Sequence, residues 1–240
     1  MRKSKKIICF IPARSGSKRL KNKNIKKLNK KPLIYWTVKC AIHLNVFEKI
    51  IFSTDSLKYY SILIKHLKNE NLPINKIVLD LRNKNNSSSK KKIFDYIKYD
   101  LSKSVHLYNK DLLVQLLPTA PLRSLKTIKN AIKLALQKKK NIFSASKYDF
   151  HVSFAFKKKK NHEWISLFKD SPLKNGNTRS QNQETFYKPN PIINCLWINN
   201  IKKNKTIYDN ALAYITSRIE GLDIDNIEDF RLAEYFIKLK

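Results

Sequence analysis

Short apolar runs alternate with amphipathic segments from the start of the chain to about residue 145. The run from Ile7 to Ile11 is continuously apolar and stops at Pro12, which is typical of a strand buried on both faces. The same pattern predicts further strands at 49–54, 74–81, 111–117 and 141–145. Helical spacing predicts helices at 32–44, 57–67, 93–101 and, after an N-cap at Ser124, 125–137. The polar segment 83–92 is predicted to be a loop. This order indicates an α/β fold with a mostly parallel, doubly wound sheet.

The alternation stops after Ser146. Residues 147–190 carry a lysine run together with scattered aromatic residues such as Trp164 and Phe168, which flexible linkers lack. We therefore expect a small inserted subdomain at 147–190 within a single domain that spans 1–240. A strand at 191–198 and a final helix at 227–239 complete the predicted elements.

Composition changes this interpretation little. A chain of 240 residues with 42% hydrophobic residues fits one α/β domain, and no apolar run approaches the ~20 residues of a membrane span. The formal net charge of +32 would attract polyanions. Because the lysines are spread along the whole chain, we favour a drift in composition over a dedicated nucleic-acid-binding role. Three cysteines without metal-site spacing favour a reducing, cytoplasmic location.

A polar, basic loop follows the first predicted strand. Its candidate ligand-binding residues are Arg14, Gly16, Ser17, Lys18, Lys23 and Asn24. Ligands of open α/β sheets lie beyond the carboxyl ends of the strands, where amides, hydroxyls and cations can bind phosphate. The chain has only three glycines, so Gly16 indicates a position that needs positive φ or close backbone approach. The alternative is an ordinary basic surface loop, since the Walker and dinucleotide patterns are absent.

Two aspartates, Asp223 and Asp225, stand near the end of the chain. In an extended segment, residues two apart point to the same face, so their carboxylates converge. Such a pair repels unless a cation lies between them, and hard oxygen ligands suit Mg²⁺ or Mn²⁺. The alternative is an acidic cluster at the start of the last helix, with Glu228 and Asp229.

A third polar segment contains Arg179. Arginine suits the recognition of planar carboxylates and of phosphates. The alternative is an exposed arginine in a polar loop, and the segment by itself does not separate the two.

Taken in order, these segments resemble the acylneuraminate cytidylyltransferase family, which comprises CMP-sialic acid synthetases and their legionaminic and pseudaminic relatives. The resemblance spans nearly the whole chain. The matching segments are 11–18 with 23–24, 53–55, 118–123, 177–181, 188–190, and 223–225 with 228–229.

The resemblance implies a Rossmann-like fold and a homodimer in which the 147–190 excursion reaches the partner's active site. It implies that CTP and an acidic nine-carbon sugar give a CMP-sugar and pyrophosphate. It assigns catalysis to Arg14, Lys23, Arg179, Asp223 and Asp225, of which Asp223 and Asp225 would bind Mg²⁺ (or Mn²⁺). It assigns nucleotide binding to Ala13, Arg14, Gly16, Ser17, Lys18, Asn24, Arg82 and Ser88. It assigns sugar binding to Gln115, Thr119, Gln181, Lys188 and Asn190.

Several positions depart from the family pattern. Leu117 stands where the family usually has glutamine, and Gln115 lies about 7 Å further back along the strand. The family's Arg-Pro-Asn-Gly is replaced by Lys-Pro-Asn-Pro at 188–191. These changes fall on the sugar side and leave open a drifted or inactive paralogue. The sequence is also compatible with an enzyme for an eight-carbon acidic sugar and with a basic nucleic-acid-binding protein.

Overall fold

The computed structural model describes residues 5–88, 90–177, 179 and 184–239. Its strands are β1 Ile7–Pro12, β2 Lys27–Leu28, β3 Lys31–Pro32, β4 Lys49–Thr54, β5 Ile77–Leu81, β6 Leu112–Gln115, β7 Asn141–Lys147, β8 Phe156–Lys158, β9 Trp164–Ser166, β10 Tyr187–Trp197 and β11 Ala211–Ile215. Its α-helices are α1 Leu33–Leu44, α2 Leu57–Lys68, α3 Lys84–Ser87, α4 Ile93–Tyr96, α5 Ser102–Ser104, α6 Leu125–Lys138, α7 Pro172–Asn175, α8 Ile198–Lys203 and α9 Ile227–Lys238. A π-helical turn, Ile97–Leu101, joins α4 to α5.

Seven strands form the central sheet in the order β11-β7-β10-β6-β1-β4-β5. Strand β1 pairs in parallel with both β4 and β6, whereas β10 runs antiparallel to β6 and β7. The predicted mostly parallel, Rossmann-like α/β sheet is therefore confirmed. The chain leaves β1 towards β4 and leaves β6 in the opposite direction, so a crevice opens between the carboxyl ends of β1 and β6. Open α/β sheets bind their ligands at such a switch point.

Both faces of the sheet are covered by helices. Cys9 and Ile11 of β1 pack with residues of α1, α2 and α6 on one face. Ile8 and Phe10 pack with the segment from α4 to α5 and with α8 on the other face. This alternation buries the four central residues of β1, and each large apolar side chain contributes about 1.5–3 kcal/mol. A third cluster packs α9 against the loop after β1, through residues that include Ile224.

Most predicted elements are present with small changes in their bounds. Ser124 caps α6 as expected, because its Oγ accepts a hydrogen bond from the amide of Thr127 at 3.1 Å. The segment 83–92, which we expected to be a loop, contains the short helix α3. The edge strand β11 and the helix α8 were not predicted. Ala211–Ile215 is an apolar run, so the sequence carried a strand signal for β11 that we did not use, although its residues are half-buried or exposed at the edge of the sheet.

The predicted excursion at 147–190 contains the β8–β9 hairpin and α7. Ser171 Oγ donates to the Ser153 carbonyl at 2.9 Å and ties α7 to the turn that precedes β8. The pairing of β10 with β7 shifts register between Pro189 and Asn194. The assignment of 147–190 as a subdomain of one 1–240 domain stays a prediction. None of the helices in the described ranges is long and apolar enough to cross a bilayer.

Arg123 links three elements beneath the crevice, and only 5% of its surface is exposed. Its guanidinium donates to the Leu117 carbonyl after β6, to Thr37 Oγ1 on α1 at 2.9 Å and to the Pro191 carbonyl on β10 at 3.4 Å. Among the described residues, no carboxylate forms an ion pair with it. Desolvation lowers the pKa of Arg123 to about 10, so the side chain stays charged at neutral pH.

Replacing Arg123 with methionine should lower the free energy of unfolding by about 2–4 kcal/mol, because buried acceptors lose their donor. Urea unfolding followed by circular dichroism measures the change. Arg231→Met makes the same substitution at an exposed position of α9 and should change stability by less than about 0.5 kcal/mol. An Arg123→Met protein as stable as the wild type would contradict this role.

Candidate active site

The basic loop after β1 is held by the end of β4. Ser15 donates to Asp55 twice, from its amide at 2.8 Å and from its hydroxyl at 2.9 Å. Thr54 Oγ1 donates to the Ala13 carbonyl at 2.7 Å, and Asn24 Nδ2 donates to the Arg14 carbonyl at 2.8 Å. The loop is therefore anchored by side chains at both of its ends, while its cationic side chains lie along the crevice.

A basic cavity of about 410 Å³ opens at the carboxyl ends of β1 and β6. Its lining residues are Pro12, Arg14, Ser17, Lys18, Arg19, Leu20, Lys23, Asn24, Leu117, Pro118, Thr119 and Asp225. Four of them are cations and one is a carboxylate. Such a cavity favours an anion with several charged oxygens, such as a polyphosphate.

The acidic segment before α9 closes one side of this cavity. Ile224 is fully buried, and its amide donates to the Thr119 carbonyl at 2.9 Å. Lys23 Nζ donates to the Ile224 carbonyl at 2.5 Å and lies 3.2 Å from Asp225 Oδ1. Arg19 contacts the same carboxylate oxygen at 2.8 Å. Residues from the two ends of the chain thus meet at one point.

The acidic residues of this segment have different partners. Asp229 accepts from the amides of Asp225 and Asn226 at 2.9 and 3.0 Å and forms the capping box of α9. The helix-start interpretation therefore holds for Asp229. Asp223 and Asp225 precede the cap, and their carboxylates are close enough for Asp225 to raise the pKa of Asp223.

Asp223 is exposed, and the pKa of its carboxyl group is nevertheless raised. Desolvation is the largest cause that raises its pKa, and a hydrogen bond with Thr119 opposes the shift. Among the described residues, no three His, Cys, Asp or Glu side chains form a metal-binding cluster. Two carboxylates nevertheless suit Mg²⁺, which keeps several waters and often binds one or two carboxylates together with substrate phosphates.

A second cavity of about 270 Å³ adjoins the first, and the two share Pro12, Arg14 and Leu117. Its other lining residues are Arg82, Asn86, Ser88, Lys91 and Ile93. Hydrogen-bonding groups from 82–91 stand beside an apolar wall. This arrangement suits a flat polar ring that is joined to the anion in the basic cavity.

The two cavities bring together most of the residues predicted to bind nucleotide. Arg14, Ser17, Lys18 and Asn24 line the basic cavity, and Arg82 and Ser88 line the second. Ala13 is buried beneath the loop. Their predicted roles in binding stay predictions.

The positive φ that we predicted as one possibility for Gly16 was wrong. Gly16 has no positive φ, and a Cβ built there would meet no described atom within 4 Å. The other predicted reason, close approach of a ligand to the backbone at Gly16, stays a prediction. The steric constraint falls on Gly221, where a Cβ would lie 2.9 Å from Nδ2 of Asn190.

The predicted sugar-binding residues are dispersed. Thr119 lines the basic cavity, whereas Gln115 is buried in β6, where its Oε1 accepts from Asn194 Nδ2 at 3.1 Å. Lys188 lies 3.7 Å from a carboxylate oxygen of Asp149. Asn190 Nδ2 donates to Thr216 Oγ1 at 2.8 Å. Gln181 lies outside the described residues.

Of the predicted catalytic residues, the structure brings Arg14, Lys23 and the two aspartates together. Arg179 is exposed and lines neither cavity. Sequence reasoning missed Arg19, Asp55, Asn86 and Lys91. Arg19 stood within the basic loop, and Asp55 directly followed a predicted strand, so both carried a usable signal. Asn86 and Lys91 lie in a segment that we expected to be a loop.

A family model described as cytidylyltransferase matches residues 8–236. The chain belongs to the cytidylyltransferase family. The resemblance of its motifs is thereby confirmed, and the crevice between β1 and β6 is the candidate active site of a nucleotidyltransferase.

Several relatives carry specific names. N-acylneuraminate cytidylyltransferase of Escherichia coli O18:K1:H7 is 33% identical over 231 residues, which cover 95% of this chain and 51% of that protein. CMP-N,N'-diacetyllegionaminic acid synthase of Legionella pneumophila is 28% identical and covers 98% of this chain and 97% of that protein. Pseudaminic acid cytidylyltransferase of Campylobacter jejuni is 25% identical with the same coverage. This cytidylyltransferase thus spans about half of the first relative and nearly all of the other two.

Solved structures with low sequence identity share the fold. CMP:2-keto-3-deoxy-manno-octonic acid synthetase complexed with CTP has a TM-score of 0.67 at 13% identity and covers 98% of this chain and 99% of that one. 4-Diphosphocytidyl-2C-methyl-D-erythritol synthase from Anaerococcus prevotii has a TM-score of 0.64 at 12% identity, covering 98% of this chain and 96% of that one. At these identities the likeness shows the Rossmann-like cytidylyltransferase fold alone.

Asp55→Asn should loosen the basic loop, because the amide side chain cannot accept the two hydrogen bonds from Ser15 as the carboxylate does. Amide hydrogen exchange should speed up by about 10-fold at residues 14–20, while exchange in β1 stays unchanged. Asp149→Asn, in the excursion, is the control and should leave the loop unaffected. Equal protection of the loop in Asp55→Asn and the wild type would show that this anchor is dispensable.

Proposed function

We propose that this chain transfers the CMP group of CTP to an acidic, sialic-acid-like nine-carbon sugar and releases pyrophosphate. The observation that carries the proposal is the pair of adjoining cavities that share Pro12, Arg14 and Leu117 at the switch point of the sheet. A basic cavity for phosphates beside a polar one for a base matches the shape of a nucleoside triphosphate. The names of the relatives support CTP and the nonulosonic acid class.

In the proposed reaction, the anomeric hydroxyl of the sugar loses its proton, and its oxygen bonds to the α-phosphorus. The bond from that phosphorus to the oxygen bridging to the β-phosphate breaks, and pyrophosphate leaves. Such a transfer depends mainly on positioning and on stabilisation of charge. Arg14, Lys18, Arg19 and Lys23 would bind the triphosphate oxygens and stabilise the charge that develops on the leaving pyrophosphate.

Asp223 and Asp225 would hold Mg²⁺ or Mn²⁺. The bound ion would neutralise phosphate charge and lower the pKa of the attacking hydroxyl. Lys23 and Arg19 contact Asp225, so both would exchange this carboxylate for phosphate oxygens when the nucleotide binds.

The sugar side carries the substitutions, and its contacts are proposed from fewer observations. Thr119 and Leu117 line the basic cavity where the sugar would approach the α-phosphate. Because Leu117 is apolar, it would contact carbon atoms of the sugar and not a hydroxyl. Gln115, Lys188 and Asn190 already bond to protein partners, so they would bind sugar only after exchanging those partners.

Purified protein with CTP and Mg²⁺ should release pyrophosphate in the presence of sialic, legionaminic or pseudaminic acid. Chelation of the metal should abolish the reaction, and Asp225→Asn should lower kcat by about 10²–10³-fold. Asp95→Asn, on α4, is the control and should keep wild-type turnover. Release that survives both the chelator and Asp225→Asn would contradict the metal assignment.

The two alternative functions predict other outcomes. A drifted paralogue would release no pyrophosphate with any of the three sugars. A nucleic-acid-binding protein would bind polynucleotides equally well after Asp225→Asn.

We also propose that two copies of the chain associate through the 147–190 excursion. The excursion exposes several large apolar side chains by 42–69% of their surface; they are Phe150, Phe156, Trp164, Ile165, Leu167 and Phe168. Apolar groups concentrated on one small segment are typical of an interface. A two-fold arrangement would carry Arg179 towards the partner's crevice, where it would meet phosphate or the sugar's carboxylate.

Light scattering should give twice the 28.3 kDa chain mass for the wild type, and the chain mass for a Trp164→Glu/Phe168→Glu variant. Tyr235→Glu, at an exposed site on α9, is the control and should stay dimeric. Mixing Arg179→Ala with Asp225→Asn subunits should restore about a quarter of wild-type turnover if Arg179 acts across the dimer. A monomeric wild type, or a mixture without recovery, would overturn the arrangement.

We place the reaction in the cytoplasm. Cys9 and Cys195 support this location, because both are buried thiols of the apolar core and need no oxidising compartment.

A further inference from the structure

Arg82 lies in a buried network behind the second cavity and is 7% exposed. Its guanidinium donates to the Ser53 carbonyl at 3.2 Å, and the guanidinium carbon lies 5.5 Å from the ring centre of Tyr96. No described residue accepts a hydrogen bond from its Nε. Buried donors without a protein acceptor are rare, and a ligand is one reason for them.

Asp80 fixes the ring of Tyr96 and also binds the side chain of Ser53, whose backbone carbonyl is the acceptor for Arg82. Its Oδ2 accepts from Tyr96 OH and from Ser53 Oγ, each at 2.6 Å, and its Oδ1 accepts from Ser104 Oγ at 2.9 Å. Asp80 and Tyr96 are each only 3% exposed. Short hydrogen bonds to a buried carboxylate hold their donors rigidly, so the Tyr96 ring has little freedom to move. The Ser53 carbonyl is held separately, because it also accepts from the Ala13 amide at 2.8 Å where β1 pairs with β4.

Asp80 holds this network without an ion pair to Arg82. Both oxygens of Asp80 are engaged by hydroxyl groups, and no described carboxylate lies within ion-pair distance of the guanidinium. Desolvation lowers the pKa of Arg82, and the nearby Tyr96, Asp55 and Asp80 oppose that shift. The arginine is thus held in place while its charge stays available to a ligand.

We infer that Asp80 and Tyr96 are positioning residues that hold Arg82 in place and thereby set the preference for cytosine over uracil in the second cavity. The inference rests on the proposed function, which places the base there. Cytosine presents adjacent acceptors at O2 and N3, whereas uracil has a donor at N3. A fixed donor rejects the mismatched base because one buried group is left unpaired, whereas a mobile arginine would turn away from it.

Isothermal titration with CTP, UTP and inorganic tripolyphosphate tests the inference. Tyr96→Leu removes both the ring and the hydroxyl, so CTP affinity and the preference for CTP over UTP should each fall about 10-fold. Tyr96→Phe keeps the ring and loses the bond to Asp80, so the preference should fall about 3-fold. Tripolyphosphate affinity and kcat at saturating CTP should change less than about 2-fold, since the phosphate contacts are untouched.

Phe94→Leu is the matched control, because it makes the same aromatic-to-leucine change in the same buried cluster and should keep the preference. A folded Tyr96→Leu protein with wild-type preference would overturn the inference. If Tyr96→Leu does not fold, unchanged preference in both Tyr96→Phe and Ser104→Ala would overturn it equally. If the wild-type protein binds tripolyphosphate but does not prefer CTP over UTP, the proposed function itself is contradicted. That result is distinct from a failure of the positioning inference.

Discussion

The site depends on how the carboxyl end of β6 is held. The guanidinium of Arg123 binds the Leu117 carbonyl there and reaches α1 and β10 from the same point. Leu117 lines both cavities, and Thr119, two residues on, accepts the amide of Ile224 that aligns the acidic segment. Among the described residues, the acceptors of this guanidinium are neutral oxygens, and such a buried cation is costly to desolvate. The cost is offset because this one side chain holds the end of β6, α1 and β10 together and fixes Leu117 in the walls of both cavities.

The cationic side chains of the protein differ in how strongly they can act on a ligand. Most lysines lie at exposed positions, where screening by solvent and salt keeps their contribution small. In the crevice, Arg14, Lys18, Arg19 and Lys23 line one partly enclosed cavity, where the same charges act at short range on a single ligand. The net charge of the chain therefore indicates little about function, whereas the cluster of cations after β1 indicates a site for an anionic ligand.

Sequence patterns were sufficient for most strands of the sheet and for the basic loop and the aspartate pair beside its crevice. Ile7 to Ile11 and the Asp223–Asp225 pair could be predicted because burial and repulsion leave local signals. The contacts between distant segments could not be predicted in this way. The bond from Lys23 to the Ile224 carbonyl joins residues 201 positions apart. Gln115 was expected to face a ligand, yet its pairing with Asn194 depends on the antiparallel placement of β10 beside β6, which the strand pattern does not specify.

The contacts that Asp225 makes with Arg19 and Lys23 have a thermodynamic consequence. This carboxylate is an internal counterion for cations that the proposed reaction assigns to phosphate. A divalent ion that takes the carboxylate would release both cations, and a phosphate that takes the cations would release the carboxylate. Each ligand would thereby remove part of the cost of binding the other. Because such coupling is reciprocal, metal and nucleotide would bind more tightly together than the product of their separate affinities implies.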